Sequence, residues 1–299
     1  MKTKENNAKF HIIVCVKQVP AGAQAKIDPV TKTLIRSAGA SVLNPYDAFA
    51  VEAALQIRDD LAARAESASC AGNAKVPGHD RAHSGISTRI TTLSMGVPGV
   101  ETLLRDLNAR GADEGVLLTD RAFAGADTID TAYTLSLGVR EIEKQSLPAS
   151  LIICGHMAID GDTAQIGPEL AQTLDLPHVA NVMRIEEVNP EEGYVIVSCI
   201  AAEGRQTLKM TLPALITVSK DINVPRLPSI AGIRRAKDAP IRVWGAADVN
   251  ADPEKTGLKG AATNVVRTFT PNFGGGATRI TGSAASCAEQ IRDVLEKLL

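Results

Sequence analysis

The chain has 299 residues, of which 44% are hydrophobic and 22% charged, and its formal net charge is −2. That length can bury one large domain or two ordinary ones, and the near-neutral balance excludes bulk attraction to nucleic acid or anionic lipid. One Trp, three Tyr and five Phe exclude an aromatic platform for stacking single-stranded bases.

No apolar run approaches the ~20 residues of a bilayer span, and the polar opening MKTKENNAKF lacks the apolar segment of an export signal. Cys15, Cys70, Cys154, Cys199 and Cys287 are odd in number and widely spaced. They read as reduced thiols of a cytoplasmic chain, with neither a disulfide frame nor a metal site among them.

In chain order, HIIVCV (residues 11–16) is too short and too β-branched for a helix and is predicted as a strand. NPYDAFAVEAALQIRDDLAARA opens a helix at Asn44 and Pro45, with Asp47 as a second candidate cap. Ala50, Ala54, Ile57 and Leu61 share one face of it. RITTLSMG (89–96) is the next strand, followed by a helix carrying Val100, Leu103, Leu104 and Leu107 on one stripe. GVLLTD (115–120) is a strand, and Ala132, Leu135, Val139 and Ile142 align on the helix after it. LIICG (151–155) and ALITVS (214–219) are further strands, and YVIVSCIAAEGRQTLKMTL (194–212) reads as a hairpin turning at Glu203 and Gly204. Strands alternating with helices predict an α/β fold, a mostly parallel sheet covered on both faces.

Two stretches break the rhythm. Residues 62–88 are rich in Ala, Ser, Gly and His without periodicity, and read as a surface insertion. From Asn223 the pattern loosens into Pro, Gly and basic segments, ending in a short helix over 284–299. The expected organisation is therefore a nucleotide-binding α/β domain over 1–222 and a C-terminal arm over 223–299 that packs on another protein.

Ligands of such sheets collect where strands end and helices begin. Four loops meet that edge: Lys17 onward, Met95–Gly96, Gly125 to Thr131, and Ala158 to Pro168. In the last, Gly161 permits close backbone approach, Thr163 and Gln165 supply neutral donors, and Pro168 after Gly167 suits a first helical turn. Thr128 and Thr131 repeat the idea after the third strand, and two hydroxyl-bearing helix starts suit a pyrophosphate. Asp127, Asp160 and Asp162 would repel phosphate, so they must turn away, cap helices or meet ribose hydroxyls. Asp and Thr before helices are equally at home as plain N-caps, and the pattern leaves both readings open. There is no GxxxxGK[ST], and His156 and Cys15 do not form a catalytic constellation.

The motifs VCVKQVP (14–20), NPYDAFAVEAAL (44–55), GADTIDTA (125–132), CGHMAIDGDTAQIGPELA (154–171) and NVPRLPSIAGIRRAK (223–237), in that order, resemble the β subunit of electron transfer flavoprotein. The resemblance runs from about residue 11 to residue 280 and implies a Rossmann-like nucleotide fold of the adenine nucleotide α-hydrolase kind. It also implies a heterodimer with an α subunit that carries its own FAD. The second nucleotide is AMP in the ordinary branch of the family. In the electron-bifurcating branch it is a second FAD that takes electrons from NADH and divides them between a low-potential acceptor, ferredoxin or flavodoxin, and a dehydrogenase. DGDTAQIGP and the ADTIDTA loop resemble the bifurcating branch, so FAD is expected over AMP.

By the same resemblance, the nucleotide is expected against the Cys15 backbone, Asn44, Tyr46, Asp47, Met95 and Gly96. Asp127, Thr128 and Thr131 join them, as does the run Ala158, Ile159, Asp160, Gly161, Asp162, Thr163, Ala164, Gln165, Gly167 and Pro168. No acid or base side chain is required, since the flavin carries the chemistry. The hairpin corresponds to the family's partner-recognition loop, with Arg205 where the ordinary branch has an apolar residue, and GLKGAATNVVRTFTP (257–271) resembles the arm that embraces the α subunit. A free-standing adenine-nucleotide sensor, binding ATP as a homodimer, is the rival class.

Overall fold

The computed structural model describes residues 8–21, 41–71, 86–220, 222–263, 265–266 and 279–298. Strand β1 (Ala8–Cys15) is followed by a short antiparallel pair, β2 (Gln18–Pro20) and β3 (Ser41–Leu43), and then by helix α1 (Pro45–Ala71). Next come β4 (Ser87–Met95), α2 (Val100–Arg110), β5 (Glu114–Leu118), α3 (Thr128–Gln145), β6 (Leu151–Gly155) and α4 (Ile166–Leu174). Strands β7 (His178–Asn189), β8 (Tyr194–Ala201), β9 (Gly204–Thr211) and β10 (Ala214–Val218) follow. The chain continues through α5 (Ile230–Ala236), β11 (Ile241–Trp244), the single turn α6 (Gly257–Gly260) and α7 (Ala284–Glu296).

The main sheet has nine strands in the order β11-β5-β4-β1-β6-β10-β7-β8-β9. All pairings from β11 to β7 are parallel, and β7-β8-β9 closes it as an antiparallel meander. Alternation along β1 fixes the two layers. Ile12 and Val14 join Ala50, Ala54 and Leu55 of α1 and Leu104 and Leu107 of α2 on one face. Ile13 and Cys15 join Ala132, Leu135 and Val139 of α3 and Leu170 of α4 on the other. This is the expected α/β sandwich, and among the described residues no helix is long and apolar enough to cross a membrane.

Three differences from the sequence expectations have local causes. Helix α1 runs on to Ala71, so the region read as an insertion from residue 62 begins as helix. Ala62 and Ala63 carry it by propensity while exposed, with no apolar stripe to signal it. Residues 72–85, the rest of that region, lie outside the described residues. Strand β7 was hidden because its register shifts twice, between Val182 and Arg184 and between Ile185 and Glu187, which breaks the period of two. Asn181 adds a left-handed residue at φ 57°.

The domain boundary also moves. Strand β11 pairs with β5 and extends the sheet, so residues 223–264 belong to the same compact unit as the nucleotide-type fold, and the division falls after Asn264. Arg226 anchors this segment, its guanidinium gripping Glu52 at 2.9 Å, and the Arg226 amide also donates to Glu52 at 3.0 Å. In the second unit, α7 starts on a Ser283 cap that accepts from the Ser286 amide. Residues 264 and 267–271 of the 257–271 run lie outside the described residues.

At the sheet's far edge, Glu114 is buried with side-chain exposure of 3% between Arg89 at 2.8 Å and Arg242 at 2.6 Å, and so ties β4, β5 and β11 together. Removing one partner of a buried ion cluster leaves uncompensated charge, which costs far more than losing an exposed pair. Glu114→Ala is expected to lower stability by about 3–5 kcal/mol. Glu101→Ala, which breaks the exposed pair with Arg105, is expected to cost under about 1 kcal/mol. Urea midpoints of the two variants check the contrast.

Candidate functional site

The chain visits β1, then β4 and β5 on one side, and crosses back to β6 on the other. The strand order therefore reverses between β1 and β6, and the carboxyl ends of these two strands leave a crevice between diverging loops. Four segments meet there: the residues after β1, the start of α1, the residues after β4, and the β6–α4 loop.

The start of α1 is built for cross-linking. Pro45 occupies the first helical position, where it needs no hydrogen-bond acceptor. Asn44, 1% exposed, commits its side chain to the loop after β6. Its amide donates to the Met157 carbonyl at 2.9 Å, and its carbonyl accepts from the Ile159 amide at 3.3 Å. Asp47 does not cap either. It accepts the Lys17 amide at 2.7 Å and packs against Gly155. Gly155 is required at this point, because a Cβ there would collide with Asp47 Oδ1 and stand 2.7 Å from the Tyr46 carbonyl carbon. Tyr46 meets His156 edge to face, with centroids 5.7 Å apart.

Asp160 is neutralised. Its Oδ1 lies 2.7 Å from Lys17 Nζ, with the carboxylate 8% exposed. Beyond it the loop turns tightly: the Gly161 and Asp162 amides both donate to the Ala158 carbonyl, at 3.2 and 2.8 Å. Asp162 and Ala164 are left-handed, at φ 56° and 55°. A Cβ on Gly161 would meet nothing within 4 Å, so the loop crest faces open space. Thr163 and Gln165 are exposed beside it. Gln165 precedes α4 without making a side-chain cap, Gly167 packs against Thr217, and Pro168 sits in the first turn as expected.

The second helix start is arranged differently. Asp127 caps α3 by accepting the Asp130 amide at 3.1 Å, and its other oxygen accepts the Thr263 amide at 3.0 Å and hydroxyl at 3.1 Å. The Thr128 hydroxyl donates to Glu169 at 3.1 Å, and the Thr131 amide to the Asp127 carbonyl at 3.1 Å. Burial works against the Asp127 carboxylate, but the Asp130 and Thr263 donors prevail and hold its pKa below the usual range. Asp130 is raised, by burial first and then by Asp127, and Glu169 is raised chiefly by burial. For Asp127 the capping reading is what the geometry delivers. Met95 and Gly96 lie at the same rim, the Gly96 amide donating to Leu118 at 3.0 Å. Cys15 is buried directly opposite Cys154 in register. Arg205 stands exposed at the start of β9, remote from these loops in strand order.

Lys17, Gly155 and Glu169 were not singled out from the sequence as site residues. Gly155 carried a readable signal, a glycine ending an apolar strand run. The Lys17–Asp160 pair spans 143 positions, and no local pattern reveals it.

The resulting crevice has a pH dependence. Burial pushes the Asp47 carboxyl up to about 7, against the pull of Asn44, the Lys17 and Gly155 amides and the Lys17 charge. The unfolded chain loses this proton near pH 4, so the folded state alone holds it up to about pH 7. The contribution to stability therefore falls as pH rises through that window, by about 1.4 kcal/mol per unit, and is flat above it. Asp47→Asn is expected to abolish this slope. The difference between wild-type and variant denaturation midpoints at pH 5 and pH 8 measures it.

Comparison with known proteins gives a consistent answer. Residues 81–249 match the electron transfer flavoprotein domain. The chain is 39% identical over 277 residues to caffeyl-CoA reductase-Etf complex subunit CarD of Acetobacterium woodii, covering 93% of this chain and 94% of that one. It is 39% identical over 290 residues to the electron transfer flavoprotein subunit beta of Thermoanaerobacterium thermosaccharolyticum, covering 97% and 98%. To protein FixA of Bradyrhizobium diazoefficiens it is 37% identical, covering 96% and 91%. Matched along nearly its whole length by such relatives, the chain belongs to the electron transfer flavoprotein β-subunit family.

Proposed function

We propose that the chain is the β subunit of a bifurcating electron transfer flavoprotein, pairing with an α subunit and holding an FAD of its own at the rim between β1 and β6. The observation that carries this reading is the convergence of Lys17, Asn44, Asp47 and the 157–165 loop on the reversal in strand order. The residues present fit an adenine nucleotide. The loop crest is open at Gly161, the Gln165 end of α4 is not capped by a side chain, and the Asp160 carboxylate of the loop is paired with a lysine. One relative is named as a subunit of a caffeyl-CoA reductase-Etf complex, and that name favours the bifurcating branch.

When bound, FAD supplies acceptance of two electrons from NADH and their separate release. The proposed acceptors would be ferredoxin or flavodoxin at low potential and, together with the α subunit, a dehydrogenase. The chain's own residues bind and orient. Asn44 and Asp47 hold the strand ends together, and Thr163, Gln165 and the loop amides present donors to phosphate and ribose.

A second reading has a specific observation behind it. The Thr128 hydroxyl already donates to Glu169, so one donor expected for a flavin-side phosphate is committed within the chain. That favours AMP in the same crevice. Denaturing the complex with its α subunit and quantifying the released nucleotides separates the two. Two FAD per heterodimer are expected, with bleaching of both by NADH; one FAD and one AMP would establish the AMP reading. An ATP-binding homodimer formed without an α subunit would overturn both.

A further inference from the structure

Lys17 makes two contacts that tie different parts of the rim. Its backbone amide donates to the buried Asp47 at 2.7 Å, and its ammonium reaches Asp160 on the β6–α4 loop at 2.7 Å. Asn44, whose amide donates to the Lys17 carbonyl at 2.9 Å, holds the same loop at Met157 and Ile159. The first half of the loop is therefore pinned to β1 and α1 at three successive places. The second half has only the Ala158 turn behind it, yet it contains left-handed Asp162 and Ala164. Left-handed non-glycine residues each cost about 1–2 kcal/mol and persist only where their surroundings hold them.

The charge at this contact matters as much as the tether. Asp160 is 8% exposed, beside a crevice whose occupant is anionic under the reading above. A carboxylate there without a partner would repel phosphate and would itself be poorly hydrated. Lys17, with 36% of its side chain exposed, reaches it from the end of β1 and cancels that charge.

We propose that Lys17 is a positioning residue for the nucleotide. By neutralising Asp160 it makes the β6–α4 loop compatible with a phosphate, and by the same bond it keeps the left-handed Asp162–Ala164 turn in place. The inference rests on the nucleotide-binding reading of this crevice.

The two substitutions that break the pair then differ in sign. Lys17→Met leaves an unpaired carboxylate facing the phosphate and is expected to weaken nucleotide binding about tenfold or more, while Lys17→Arg restores most of it. Asp160→Asn removes the offending charge, keeps an acceptor for Lys17, and is expected to hold affinity within about threefold. Adding Asp160→Asn to Lys17→Met should recover part of the loss. The readout is the affinity for the nucleotide that the native heterodimer releases on denaturation, measured by titrating the stripped complex at low and high salt. The Lys17→Met deficit should shrink at high salt, as repulsion requires.

Equal losses in Lys17→Met and Asp160→Asn, with no recovery in the double variant, would overturn the inference, because a purely mechanical tether fails from either end. Wild-type affinity in Lys17→Met would also overturn it. Should Lys17→Met fail to fold, the salt dependence and affinity of Asp160→Asn alone decide, since a tenfold loss there contradicts the charge argument. A wild-type heterodimer that releases no nucleotide would instead remove the underlying reading.

Discussion

A single buried carboxylate organises the rim of this sheet. Asp47 accepts the Lys17 amide just past the end of β1 and packs against Gly155 at the end of β6, so it touches both strands between which the strand order reverses. Loops that would otherwise diverge into solvent are thereby held to the first turn of α1, and Gly155 has no side chain because that carboxylate and the Tyr46 backbone fill the space where one would be. Desolvating such a group is costly, and the donors arranged around Asp47 repay only part of that cost. An active rim assembled at some expense in stability is what a binding site on a rigid scaffold requires.

The two helix starts at this rim illustrate how similar residues take different roles. Before α3, Asp127 does the ordinary work of an N-cap, and Thr263 reinforces it from far along the chain. Before α4, no side-chain cap forms, Pro168 removes one amide from the count, and the preceding loop is held by Asn44 and Lys17. The cap comes from within the helix start in one case and is absent in the other, which leaves the second end of the sheet more receptive to an anion.

Much of this was legible in the sequence. Parallel strands buried on both faces announced themselves as the apolar runs HIIVCV, LIICG and ALITVS, and the stripes of α1, α2 and α3 packed as their spacing predicted. Elements were missed where the physical signal is offset or short. The bulges in β7 shift its alternation, and IRVW of β11 is only four residues set among Pro and Gly. At the site, the residue types at the loop after β6 were readable from composition and turn chemistry. The partners were not: Asn44 with Met157 and Lys17 with Asp160 are long-range contacts that exist only once β1 and β6 lie side by side.

The pairing of β5 with β11 has a consequence for how the molecule is made. Strand β5 is an edge until residues 241–244 arrive, more than a hundred positions later in the chain. Throughout ribosomal synthesis of the intervening segments, a fully buried strand, EGVLL, has one row of amides and carbonyls without its neighbour. Glu114, at the start of that strand, has Arg89 and the Thr91 hydroxyl as partners until Arg242 emerges. The nascent chain therefore carries a transient adhesive flank, closed by a segment that also holds Arg226 against α1, so that late-translated residues seal a sheet whose centre was complete long before.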